Sequence, residues 1–320
     1  MAARPTVVVA RALPAAGLER LRERYDVRIG GLDAGRETVL DLVRGAAAVV
    51  ADPTVAIDGE VLAAAGADLR VVANYAVGYD NIDLAASRQR GIAVTNTPDV
   101  LTNATAELAL ALTLAAARDL RTAESELRGG RWRYGWEPEG HMGIELSGAT
   151  FGVVGLGRIG GRYAELVRPL AGELIYTSQS PRPAAESALR ARRARIDDLF
   201  ERADVVSLHV PATPETSRMV DAARLERMKP TAILVNTARG ALVDEAALAA
   251  ALRDGRIGAA GLDVYAYEPE VAAALLDAPR CVLLPHIGSA TQRAREAMAR
   301  LVADNVIAAL EGREPPTRVA

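Results

Sequence analysis

The sequence predicts an α/β protein built from two doubly wound parallel sheets, and three observations predict it. Short apolar runs of strand character alternate with helical runs, the rhythm of parallel sheets joined by crossover helices. The rhythm pauses after residue 95 and restarts near residue 148, as expected of two units in a chain of 320 residues. A Gly-x-Gly-x-x-Gly, from Gly155 to Gly160, stands at the first turn of the second series.

In the first series, strands are expected near Thr6–Ala10, Val27–Ile29, Ala47–Ala51, Leu69–Ala73 and Ile92–Thr95. Helical runs lie between them, for example Ala15–Arg24 and Asp58–Ala65. Leu101–Leu120 follows, apolar on most of its faces, and such a helix must be buried on several sides. It suits a bridge between units or a subunit interface. The second series places strands at Thr150–Gly155, Glu173–Thr177, Asp204–Val210, Ala232–Thr237, Gly261–Val264 and Cys281–Pro285. Six strands is the number for a full dinucleotide-binding sheet. Helices fill the gaps at Ile159–Leu170, Ile196–Arg202 and Asp244–Arg253, with Asp244 as N-cap and Gly255 as stop. A final helix, Ala290–Glu311, is expected to cross back onto the first unit. The irregular loop Gly129–Gly143 carries both tryptophans.

Composition narrows the function classes. Half the residues are apolar, a quarter are charged and the net charge is −3, with no basic run, so nothing points to nucleic acid. Lys229 is the only lysine among the basic residues. The single cysteine, Cys281, excludes a disulfide framework within one chain, argues against a cysteine metal site and reads as a buried structural thiol. No metal site is expected. The N-terminal run Thr6–Ala10 is too short for a signal peptide, and Leu108–Ala117 is too short to span a bilayer. A cytoplasmic protein without a membrane role is expected.

Chemistry concentrates in the second series. In the fingerprint, Gly155 permits the tight turn, Gly157 lets a pyrophosphate approach the backbone, and Gly160 lets helix and strand pack closely. The helix N-terminus, at Arg158 and Ile159, attracts the phosphates. The second strand of a Rossmann unit usually ends in an acid that binds the ribose 2′-hydroxyl. Here it runs Tyr176-Thr177-Ser178-Gln179-Ser180-Pro181-Arg182, without an acid. Ser178, Gln179, Ser180 and Arg182 instead suit a 2′-phosphate, so NADP(H) is favoured and NAD(H) remains possible.

Three polar clusters mark later strand ends: Asn236-Thr237-Ala238-Arg239-Gly240, Gly261-Leu262-Asp263 with Glu268 beyond it, and Pro285-His286-Ile287-Gly288-Ser289. Ligands of open α/β sheets bind at the carboxyl ends of strands. One crevice thus gains an arginine, two carboxylates and a histidine, the set that keto-acid reduction needs. Arginine grips a carboxylate through two parallel hydrogen bonds and polarises the ketone. Histidine delivers the proton as hydride reaches carbon, and a carboxylate on its far nitrogen fixes the tautomer and favours the charged form. Of the other histidines, His209 reads as a lining of the cofactor cleft and His141 as a loop residue.

These motifs together resemble the D-isomer-specific 2-hydroxyacid dehydrogenase family over nearly the whole chain. Val77-Gly78-Tyr79-Asp80-Asn81-Ile82-Asp83, Asn96-Thr97-Pro98, Ala106-Glu107 and Glu268-Pro269 join the clusters above as its carriers. Within the family the chain is most similar to glyoxylate/hydroxypyruvate reductases, on Thr97–Thr102, Trp136-Glu137-Pro138 and His286–Thr291. The resemblance implies a discontinuous flavodoxin-like substrate domain, residues 1–98 and 288–320, and a Rossmann NAD(P)-binding domain, residues 99–287. It implies Arg239 on the substrate carboxylate, His286 as proton donor and Glu268 as its partner. Val77 and Gly78 would bind the carboxylate through their backbone, with Ser289 beside the substrate. Thr105, His209, Val210 and Thr237 would line the cofactor cleft, with Asp263 and Gly288 toward the nicotinamide. A homodimer is implied, in which Trp136, or else Trp132, reaches the partner's substrate site. The alternatives are a 3-phosphoglycerate dehydrogenase, many of which carry a further C-terminal domain, and a nucleotide-sensing corepressor that keeps the same triad. Formate dehydrogenases have glutamine at the position of Glu268, which argues against that branch.

Overall fold

The computed structural model describes residues 4–320, so the first three residues of the expected 1–98 segment lie outside the described residues. The chain divides into two compact units. One takes the chain up to Leu101 together with Ser289–Ala320; the other is Thr102–Gly288.

The first unit runs β1 (Thr6–Val9), α1 (Ala15–Arg22), β2 (Asp26–Ile29), α2 (Arg36–Leu42), β3 (Ala48–Ala51), α3 (Gly59–Ala65), β4 (Val71–Asn74), α4 (Leu84–Gln89) and β5 (Ala93–Thr95). Its strands are all parallel in the order β2-β1-β3-β4-β5, the flavodoxin-like order. Every residue of β3 and β4 is buried, which explains why those runs are continuously apolar instead of alternating.

The second unit runs α5 (Thr102–Ala117), α6 (Leu120–Arg128), β6 (Ala149–Val154), α7 (Arg158–Val167), β7 (Ala171–Thr177), α8 (Pro183–Leu189), β8 (Ala191–Arg193), α9 (Ile196–Arg202), β9 (Val205–Leu208), α10 (Ala222–Arg227), β10 (Ile233–Asn236), α11 (Glu245–Arg253), β11 (Ala259–Leu262), α12 (Ala273–Leu276) and β12 (Cys281–Leu283). Its seven strands are parallel in the order β12-β11-β10-β9-β6-β7-β8. Counted from β6 this is the dinucleotide-binding order 3-2-1-4-5-6 with one further strand. Adjacent residues of β6 enter opposite cores: Phe151 and Val153 on one face of the sheet, Val154 on the other.

The last helix, α13 (Gln292–Leu310), belongs to the first unit. It approaches α1 so closely that a Cβ on Gly17 would lie 2.4 Å from the Ala299 carbonyl oxygen. The Tyr75 hydroxyl donates to the Arg295 carbonyl at 2.8 Å, and Asn305 binds Thr317 Oγ1 at 2.7 Å. The expected crossing of this helix onto the first unit is therefore present.

Two expectations need correction. The second sheet has seven strands, not six, because β8 was missed: it is three residues long, lies at the sheet edge and carries two exposed arginines. Leu101–Leu120 is not one helix. The backbone turns left-handed at Asp119 (φ 45°), a conformation aspartate tolerates better than most residues, and α6 begins afterwards. Within α5, Ala109, Leu112, Thr113 and Ala116 are buried, while Asn103, Glu107, Ala111 and Leu114 form an exposed stripe. Among the described residues, no helix is long and apolar enough to cross a membrane.

Candidate active site

The arginine, glutamate and histidine sit beyond the carboxyl ends of β10, β11 and β12. Asn236 ends β10 and closes the turn with its side chain, accepting from the Ala238 amide (3.0 Å) and donating to the Arg239 carbonyl (2.8 Å). Gly240 follows. A Cβ there would stand 1.9 Å from the Tyr265 carbonyl carbon, so only glycine lets the Arg239 loop lie against the loop after β11.

That second loop is tied down at several points. The Ala266 amide donates to Glu245 Oε1 (2.7 Å), the Tyr265 amide to Glu268 Oε1 (3.0 Å), and the Tyr265 hydroxyl to the Leu284 carbonyl (2.9 Å). With one oxygen held, Glu268 turns the other to His286 Nδ1 at 2.7 Å. The His286 and Glu268 side chains are 35% and 26% exposed, buried enough to be ordered and open enough to meet a reactant.

His286 has a left-handed backbone (φ 52°), and Asp263 holds it there. The His286 amide donates to the Asp263 carbonyl at 2.9 Å. The Ile287 and Gly288 amides donate to Asp263 Oδ1 and Oδ2, each at 2.7 Å. Asp263 is wholly buried and thus receives three consecutive amides of the histidine loop. A Cβ on Gly288 would come within 3.2 Å of Asp263 Oδ2 and 3.4 Å of Thr105 Cγ2. This loop clamp was not legible in the sequence.

Electrostatics separate the two carboxylates. Burial pushes Glu268 up, but the hydrogen bonds from His286 and the Tyr265 amide, with the charges of His286 and Arg239, hold it below the ordinary carboxylate value. Asp263 lies above its ordinary value, because burial outweighs the Ile287 amide, His286 and the Gly288 amide. Glu268 is therefore the ionised partner of the histidine.

The fingerprint has a shape that suits a dinucleotide. Gly155 sits at φ +95°, and a Cβ on it would lie 2.7 Å from both the His209 carbonyl oxygen and Val210 Cγ1. A Cβ on Gly160 would strike the Gly155 carbonyl oxygen at 2.0 Å, whereas Gly157 faces open space. No side chain caps α7, so the amides at Arg158 and Ile159 begin the helix without a side-chain acceptor at Gly157. An anionic group approaching Gly157 would meet those amides and the helix dipole. Thr237 Oγ1, buried beyond β10, has no hydrogen-bond partner and can serve a ligand. His209 Nε2 lies 2.9 Å from Ser207 Oγ, its ring is 5.2 Å from that of Tyr163, and burial pushes it down to about 3.

The loop after β7 differs from expectation in one respect. Ser178 Oγ donates to the Ser180 carbonyl at 2.6 Å, so its proton is turned into the loop. Gln179, Ser180 and Arg182 are exposed. The Arg182 amide donates to the Tyr176 hydroxyl at 2.9 Å, and Tyr176 in turn donates to Glu186. Arg193, at the end of β8, donates from Nη2 to the carbonyls of Ser178 (2.9 Å) and Gln179 (3.1 Å). Its only sequence signal is a pair of arginines one strand away.

The remaining candidates lie on other elements. Val77, Gly78 and Ser289 belong to the first unit. There the Val77 carbonyl accepts from Asn96 Nδ2 (2.8 Å) and the Gly78 carbonyl from Asn74 Nδ2 (2.7 Å). Trp132 and Trp136 are 56% and 83% exposed on the loop after α6. His141 stands 3.5 Å from Glu126. Cys281 is buried, and desolvation pushes its thiol up to about 12, an inert structural residue. Among the described residues, no group of three or more histidine, cysteine or acidic side chains is arranged to hold a metal.

Residues 110–288 match the family model described as D-isomer specific 2-hydroxyacid dehydrogenase, NAD binding domain. The chain is 47% identical to a glyoxylate reductase of Thermococcus kodakarensis, over 99% of this chain and 96% of that one. A crystal structure of a Thermus thermophilus protein superposes with a TM-score of 0.92 at 45% identity, covering 98% of this chain and all of that one. The NADPH-dependent glyoxylate/hydroxypyruvate reductase of Sinorhizobium meliloti, solved with NADP and malonate, gives 0.88 at 37% identity, covering 99% and 97%.

Proposed function

The chain belongs to the D-isomer specific 2-hydroxyacid dehydrogenase family, and on that premise we propose that it reduces glyoxylate and hydroxypyruvate to the corresponding D-2-hydroxy acids. It is an oxidoreductase that binds a nicotinamide dinucleotide and reduces keto acids to hydroxy acids. The observation that carries the finer reading is the His286–Glu268 hydrogen bond of 2.7 Å, with the charge of Arg239 acting on the same carboxylate.

The roles follow from that geometry. The Arg239 guanidinium takes the substrate carboxylate and polarises the adjacent carbonyl. Because Glu268 engages Nδ1, His286 presents Nε2–H to the carbonyl oxygen. A reduced nicotinamide held in this cleft would supply hydride to the carbonyl carbon. As the carbon–oxygen π bond opens, the oxygen takes the Nε2 proton, and the neutral imidazole keeps its Nδ1–H on Glu268. The Val77 and Gly78 amides and Ser289 complete substrate binding. Gly155, Gly157, Arg158, Ile159 and Gly160 would hold the pyrophosphate, Thr105, His209, Val210 and Thr237 would line the cofactor cleft, and Asp263 and Gly288 would stand toward the nicotinamide.

NADPH serves at least as well as NADH. No acid stands at the ribose end of β7 to repel a 2′-phosphate, and the Sinorhizobium relative is NADPH-dependent. A cytoplasmic homodimer completes the reading. The exposed indoles of Trp132 and Trp136 support it, with Trp136 reaching the partner's substrate. Sedimentation as a monomer at working concentration would remove the dimer.

The deciding experiment is a steady-state panel with both cofactors. Glyoxylate and hydroxypyruvate should give the highest kcat/KM. Turnover confined to a phosphorylated keto acid, or tight cofactor binding without turnover, would overturn the proposal.

A further inference from the structure

We propose that Arg193 is a specificity-determining residue that receives the 2′-phosphate of NADPH, an inference that rests on the NADPH reading above. The register of β7 and β8 sets Arg193 beside Tyr176, the residue before the last of β7. Arg193 therefore stands at the carboxyl end of the sheet, where the loop Ser178–Ser180 meets the adenosine ribose in this fold. One nitrogen, Nη2, donates to two successive peptide carbonyls, Ser178 at 2.9 Å and Gln179 at 3.1 Å. A guanidinium has five N–H donors in a rigid fork. Binding the loop through Nη2 leaves Nε and Nη1 to a further acceptor.

Charge at the two ends of these strands differs. At the amino end, Glu173 pairs with Arg192 at 3.4 Å and with Arg202 at 2.7 Å. At the carboxyl end, Arg193 has no ion pair among the described residues; its bonds go to neutral carbonyls. The acid nearby, Glu186, accepts from the buried Tyr176 hydroxyl, and Arg182 is held at its amide by that same hydroxyl. Two arginines against one inward-turned carboxylate leave this loop positive. A ribose hydroxyl gains little from such a field, whereas a phosphate dianion gains a charge-assisted fork. With the Ser178 hydroxyl proton committed to the Ser180 carbonyl, the arginine is the stronger donor at this point.

A purely structural Arg193 would fix the loop for either cofactor alike, and this contrast provides the test. Calorimetry on the full-length protein compares adenosine 2′,5′-bisphosphate with 5′-AMP, which differ only in the 2′-phosphate. The same variants are assayed for kcat/KM with NADPH and NADH. Arg193→Ala should weaken the bisphosphate and NADPH by about ten- to a hundredfold, the range for a lost charge-assisted bond, and change 5′-AMP and NADH by less than about threefold. Arg193→Lys should retain part of the preference, and Arg192→Ala should leave it intact. Parallel losses on both ligands, or no loss on either, would overturn the inference. A wild-type protein that favours the bisphosphate yet is indifferent to Arg193→Ala defeats this inference alone. A wild-type protein indifferent to the 2′-phosphate defeats the NADPH reading and the inference together.

Discussion

His209 and His286 both follow apolar strands of the same seven-stranded sheet, β9 and β12, and both precede a short loop at its carboxyl edge. Their surroundings set them apart. His286 meets a carboxylate at 2.7 Å and keeps 35% of its side chain open. His209 meets a serine hydroxyl and the tilted ring of Tyr163, and desolvation holds it neutral down to about 3. One ring is paired with a carboxylate and open to a reactant, the other remains uncharged beside the glycine turn. Position at a strand end admits a histidine to the crevice; the partner and the solvent decide what it does there.

The largest effect should come from the open histidine. His286→Ala should lower kcat for glyoxylate by about two to four orders of magnitude, the scale of a general acid. Stopped-flow or steady-state turnover near the wild-type rate would break the assignment. Arg239→Ala should follow, with kcat/KM falling about a hundredfold or more as charge-assisted bonds to the carboxylate are lost. The fall should appear in KM as well as kcat, since the same group binds and polarises; a change confined to kcat would argue against carboxylate binding.

His209 predicts a smaller effect, read in stability. Unfolded, its imidazole titrates near ~6.5; folded, it is pushed down to about 3. Between those values the unfolded chain binds a proton that the folded chain refuses, so stability is present above the unfolded value and is lost as pH falls toward the folded one. The contribution is about 1.4 kcal/mol per pH unit at most. His209→Asn should flatten the denaturant midpoint against pH over this window while leaving turnover within about tenfold of wild type. An unchanged slope would show that the ring is not held neutral.

Much of this architecture is legible in the chain because strong local signals coincide. Gly155 and Gly160 announce a turn whose steric reasons the structure displays, Gly157 faces open space, and Asn236, Asp263 and His286 sit at or just past the ends of apolar runs. What escaped depends on neighbours distant in sequence or on single local conformations within a continuous pattern. The edge strand Ala191–Arg193 has little apolar character because only one flank is paired. The break at Asp119 lies in a local backbone choice within a continuous helical pattern. Nothing near Asp263 indicates that its carboxylate would be consumed by amides 24 and 25 residues later. Nothing in the sequence marks that the Ser178 hydroxyl is turned to the Ser180 carbonyl.

The most direct test of the account is the pH dependence of kcat/KM for glyoxylate reduction in wild type, Glu268→Gln and His209→Asn. Reduction consumes a proton delivered by a general acid, so kcat/KM has an alkaline limb. Glu268 is held below the ordinary carboxylate value and stays anionic throughout, stabilising the imidazolium. The account predicts that Glu268→Gln moves the alkaline limb to lower pH and that His209→Asn leaves it in place. A limb unmoved by Glu268→Gln, or moved by His209→Asn, would contradict it.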